Sequence, residues 1–175
     1  MSRWLIDPDH TVATFTVRHM MIADVHGHFN RISGELMYTP DDPAATALEA
    51  VIEAEAICTG IAKRDAHLRS PDFFDVPHFP HITFKSTGVE IEGRELRRLR
   101  GDFTLHGVTR AVTLEVEHFG PVTSHDGETS VGLRLRTSID RNDYGMSWNM
   151  PLPAGLMVGT EVRLLVDLEA DLAEV

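Results

Sequence analysis

The densest set of proton-active and charged side chains lies in one short stretch that holds Arg64, Asp65, His67, Arg69, Asp72 and Asp75. Asp65 and His67 could act as an acid–base pair guarding the entrance of a ligand site, since carboxylate and imidazole together span the useful pH range. The competing reading is structural: Asp65 and the arginines pin this segment to its surroundings through charge-assisted hydrogen bonds. The crowding of cations beside the pair favours the structural reading. Arg141 and Asp143 carry the same ambiguity, with Arg141 placed by its loop to clamp the helix.

The ten histidines invite a metal reading. His26-x-His28 would project from one face of an extended segment, and His78-x-x-His81 lies near Asp75. Zinc requires three or four converging ligands, and neither HExxH nor a Cys/His cluster is present. Cys58 is the single cysteine, so no internal disulfide forms, and it reads as a small apolar residue. A GxSxG elbow, a P-loop and a dinucleotide fingerprint are all missing. No catalytic residue, metal or cofactor is expected.

Net charge is −11, without a basic stripe, so nucleic acid is an improbable partner. No apolar run approaches the roughly 18 residues of a membrane span. The N-terminus shows no secretory h-region, and a lone thiol and no N-x-S/T sequon accompany it. A cytoplasmic location is the expectation.

The elements that would position these groups are short alternating runs. Residues 9–18, 29–38, 48–57, 81–91, 95–105, 111–119, 131–139 and 161–172 each place apolar residues on one parity and polar residues on the other. Thr113-Leu114-Glu115-Val116-Glu117 shows the period of two plainly. Such a pattern marks antiparallel strands with one wet face. The joins at Glu92-Gly93-Arg94, His106 to Thr109 and Ser124 to Gly127 are of hairpin length. Eight strands in meander order predict an all-β, up-and-down barrel in one domain over 1–175, with room inside for one small ligand.

Three segments break the alternation. His19 to His26 reads as a short helical turn, and Thr59 to Asp75 as the clearest helical piece, inserted between strands three and four and ended at Ser70-Pro71. Asp140 to Gly159 is a long loop in which Tyr144 neighbours Met146 and Trp148 neighbours Met150. In an up-and-down barrel all three meet over one mouth, where Met20, Phe73, Phe74, Met146, Trp148 and Met150 would supply an apolar gate.

The inward parity contains Phe15, Val17 and Phe29 early in the chain, then Ile52 and Phe84, then Phe103, Leu105 and Leu114. Leu133, Leu135 and Ile139 complete it. These side chains either fill a solid core or line a tunnel. The small residues Ala50, Ala54 and Ala56 on the third strand leave space if they share the interior.

Several motifs resemble the YceI family in chain order. Trp4 to His10 leads into Phe15-Thr16-Val17-Arg18-His19-Met20 and Gly27-His28-Phe29. Arg64 to Ser70, Asp72-Phe73-Phe74-Asp75 and Pro80-His81-Ile82-Thr83-Phe84 follow, then Gly101 to Arg110, then Ile139 to Gly145. Together they cover nearly the whole chain. Thr11 stands where a serine is more usual and keeps the hydroxyl; the missing signal peptide departs from the many family members that look exported. The resemblance implies a lipocalin-like barrel around a polyisoprenoid or isoprenoid quinone, without catalytic machinery. A lipid-acting enzyme using Asp65 and His67, and a ligand-free stress-related structural protein, are the alternatives. Whether the chain is a monomer or a homodimer stays open.

Overall fold

In the computed structural model, which describes residues 1–173, the strands are β1 (Ser2–Ile6), β2 (Val12–His19), β3 (Ala23–Phe29), β4 (Ile32–Tyr38), β5 (Ala47–Glu53), β6 (His81–Glu92), β7 (Glu95–Leu105), β8 (Val108–Thr123), β9 (Thr129–Asp140), β10 (Pro151–Leu152), β11 (Gly155–Leu156) and β12 (Val158–Leu172). One helix, α1 (Ala62–Arg69), interrupts them. Every neighbouring pair is antiparallel, and β12 closes the sheet by pairing β9 along one edge and the first strands along the other.

Closure depends on two bent staves. β1 and β2 form one, β3 and β4 the second, because β12 pairs β2 as far as Asp167 and β1 from Ala170. At the bend Glu169 keeps its hydrogen bonds: its N–H donates to Thr11 Oγ1, its carbonyl accepts from that hydroxyl and from Asp7 N. The hydroxyl at position 11 thus stands in for a missing strand partner. With β5 to β9 and β12 these give eight antiparallel staves, the up-and-down barrel expected from alternation. On the outer face Arg136 pairs with Glu117 and Arg134 with Asp167 across strands.

Three expectations change. Residues 19–26 form no helix: Ala23–Phe29 pairs β2 from His19↔Ala23 to Ala13↔Phe29. An isolated helix this short is marginal in water, whereas a strand here satisfies its backbone along β2. The helix expected over 59–75 contracts to Ala62–Arg69, and residues beyond Ser70 run in turns through Phe79. The third strand ends at Glu53, and Ala54–Ala56 is a 3-10 turn, so only Ala50 of the three alanines stays on the strand.

One end of the barrel is solid, packed with Trp4, Leu36, Tyr38, Val131 and Ala170. The joins after β2, β5, β7 and β9 gather at the other. Met20 N donates to Met157 O at 2.8 Å, Phe79 packs on His106, and the His106 ring contacts Tyr144 O at 3.0 Å.

Candidate ligand-binding cavity

Inside the barrel, toward the end where these joins gather, lies a cavity of about 170 Å³. Its wall is apolar apart from Thr14, Thr137 and Arg141. Phe15 and Val17 reach it from β2, Phe29 from β3, Ile52 from β5 and Phe84 from β6. Phe103 and Leu105 come from β7, Leu114 from β8, Leu135 and Ile139 from β9. Phe15, Phe29 and Phe74 form an aromatic ladder with centroids 5.9 and 5.6 Å apart. Gly27 makes room for it, since a Cβ there would sit 2.2 Å from the Phe15 ring.

Four of the expected wall residues lie elsewhere. Leu133 is inward but packed in the solid part of the core, 2% exposed. Met20 and Met150 are exposed on the outside, and Trp148 does not line the site but packs behind the wall residue Phe73, tilted against it at 5.3 Å and edge-on to His67 at 4.9 Å. Phe73, Phe74 and Met146 do line it, joined by Leu68 of α1. Parity also overlooks how much wall β12 contributes through Val162, Leu164, Val166 and Leu168. Their shared face is legible in the sequence; their depth is not.

Arg141 closes the wall beneath the 145–159 segment. It is 3% exposed, and its guanidinium donates to Gly159 O at 2.9 Å, Met146 O at 2.5 Å, Trp148 O at 2.9 Å and Val158 O at 3.3 Å. Burial lowers its pKa, partly offset by Asp140. Asp140 itself caps the next turn by accepting from Asn142 N. Arg141 thus clamps its own loop through backbone carbonyls, and none of these bonds reaches α1, the expected target.

The polar segment before the cavity is wired differently from an acid–base pair. Asp65 Oδ1 accepts from Thr59 N at 2.8 Å and from Thr59 Oγ1 at 2.5 Å, and Arg64 donates to the same threonine. His67 instead contacts Asp72 at 2.8 Å, and Arg69 donates to the carbonyls of Glu55 and Ile57. Neither Asp65 nor His67 is part of the cavity wall. His26 contacts Thr16 and His78 contacts Asp75, while His28 sits in a bridge to Cys58. A trio that spacing hides, Asp7, His10 and Glu169, brings ligand atoms within 4.8 Å of one another, with the His10 ring already on Asp7.

Fold and cavity together define the class: a closed, eight-stave antiparallel barrel enclosing one apolar cavity, in the manner of lipocalins. Residues 4–170 match the YceI-like domain, and the chain belongs to that family. Protein YceI of Salmonella newport is 32% identical over 160 residues, which cover 91% of this chain and 81% of that protein. A UPF0312 protein of Vibrio cholerae serotype O1 is 31% identical over 137 residues, 78% of this chain and 72% of that one. Among solved structures, BcnA of Burkholderia cenocepacia superposes with a TM-score of 0.81 at 17% identity, covering 94% of this chain and 98% of BcnA. A domain from Saccharophagus degradans described as polyisoprenoid binding has a TM-score of 0.72 at 16% identity, covering 99% and 100%. Among the described residues, no helix is long and apolar enough to cross a membrane.

Proposed function

We propose that this chain is a carrier that holds an apolar isoprenoid lipid, a polyprenyl chain or an isoprenoid quinone, in the barrel cavity. The observation that carries this reading is the wall itself: aliphatic and aromatic side chains on nearly every side, with a single cation at the rim. Each methylene buried there contributes about 0.8 kcal/mol, so a prenyl tail needs no polar anchor to bind tightly. Membership of the YceI-like family and the polyisoprenoid-binding description of the Saccharophagus domain support the same ligand class. An enzymatic role finds less support, because Asp65 and His67 turn to different partners away from the cavity.

Native mass spectrometry after gentle purification tests the reading directly. A co-purified prenyl lipid of defined mass, displaced by a fluorescent prenyl probe, is the expected result. A barrel that stays empty and fails to take up the probe would refute it.

A further inference from the structure

Two neighbouring turns outside the cavity carry side chains that the carrier role does not use. The β2–β3 tip exposes Met20, Met21 and Ile22, with Ile22 77% exposed, and the β10–β11 hairpin region exposes Met150 and Leu156. The two lie side by side. Met20 N donates to Met157 O, and a Cβ on Gly155 would sit 3.3 Å from Met21 Cγ.

The charge pattern of these turns is unusual for this chain. A quarter of all residues are Asp, Glu, Lys or Arg, yet the whole stretch Gly145–Gly159 contains none, and neither does His19–Ala23. The tip is also built against backbone preference. Met20 and Met21 have φ of 49° and 62°, and Ile22 N donates to His19 O, the geometry of a tight hairpin turn that ordinarily selects Asn and Gly. A left-handed backbone is unfavourable for a residue that carries a Cβ, yet two solvent-exposed methionines occupy such positions.

We infer that this uncharged double tip inserts into the headgroup–acyl boundary of a zwitterionic lipid bilayer. The inference rests on the carrier reading for its purpose, since Val17, three residues before Met20, and Val158, paired with His19, both line the cavity. A prenyl tail could then pass from bilayer to barrel along apolar side chains. Charge selects this occupant. A segment without ionic groups loses no ion hydration on entering lipid, and a net charge of −11 opposes both an anionic surface and a second copy of the chain. Two narrow turns also suit a soft interface better than a flat rigid one. A few inserted apolar side chains give weak, reversible attachment, with partition on the order of 10³ M⁻¹, as a carrier that must leave again requires.

The test compares the intact protein with a Met21→Asn/Ile22→Asp variant. Asn is at ease in the left-handed region, so the fold is retained. In flotation with phosphatidylcholine vesicles at roughly 1 mM lipid, the wild type should partition measurably and the variant about tenfold less. Uptake of a fluorescent prenyl probe dispersed in detergent should be equal in the two proteins, while uptake from vesicles should slow in the variant. Loss of dispersed-probe uptake in both proteins would refute the carrier reading and leave the flotation result to judge docking alone. Absence of wild-type flotation, equal flotation of the two, or concentration-dependent dimerisation that the variant abolishes would overturn the docking inference.

Discussion

The depth of the cavity can be tested by shortening it from inside. Ala50 is flanked by Gly34 on β4 and Phe84 on β6, and Leu48 and Ile52 on its own strand also line the wall. An Ala50→Phe side chain therefore projects into open space at mid-depth. It removes room for about one isoprene unit, whose five carbons are worth ~4 kcal/mol at ~0.8 kcal/mol each when fully buried. The tail can shift toward the mouth and recover about half of that. The net loss of about 2 kcal/mol corresponds to roughly 30-fold in Kd for a long probe. Titration with farnesyl and geranylgeranyl fluorophores separates the possibilities. Wild type should bind the longer chain more tightly, and the variant should bind both about equally. Urea denaturation checks that any overpacking strain stays within the usual 1–3 kcal/mol. The same chain-length preference in a folded variant would refute a tail that runs down past Ala50.

Three further outcomes follow from the same geometry. Arg141→Met keeps the side-chain stem but removes four donated hydrogen bonds, of which the one to Val158 O is backed by a second donor, Asn149 Nδ2; stability should fall by about 3 kcal/mol and the Trp148 near-ultraviolet signal should weaken, and an unchanged urea midpoint would show that the clamp is dispensable. Asp65→Ala removes two hydrogen bonds to Thr59 and should lower stability by about 2 kcal/mol while probe affinity changes less than about threefold; a hundredfold affinity loss in a folded variant would place the carboxylate in the site. Burial holds the His118 imidazole below its ordinary pKa, with its ring 4.6 Å from Tyr38 and Nε2 lacking a partner among the described residues. The unfolded chain then binds that proton more readily, so this contribution is complete above about pH 6.5 and is lost as pH falls toward the depressed folded value. His118→Phe should consequently lose less stability than wild type between about pH 7.5 and about pH 5, and equal losses in urea titrations would contradict it.

Alternation by itself determined which side chains face inward. In Thr113-Leu114-Glu115-Val116-Glu117, or in Leu133 to Arg136, a period of two leaves one parity for the interior whatever else the chain does. Short polar joins then forced neighbouring strands to be antiparallel, and the unprotected edges of eight such strands called for closure. Only the tertiary structure decided depth. Leu133 and Leu135 share a face and a strand, yet Leu135 lines the cavity while Leu133 lies in the packed end, because the filling of a barrel depends on what all the other staves place at that level. The same dependence on distant partners hid the bent first stave, where Glu169 completes the hydrogen bonds of Asp7 and Thr11. It also hid the pairing of Ala23–Phe29, because the ladder of backbone donors and acceptors that makes this segment a strand is supplied by β2. Partners of charged groups were equally out of reach. Asp65 is two positions from His67 but turns back to Thr59, since its place on the first turn of α1 aims it at the residues before the helix.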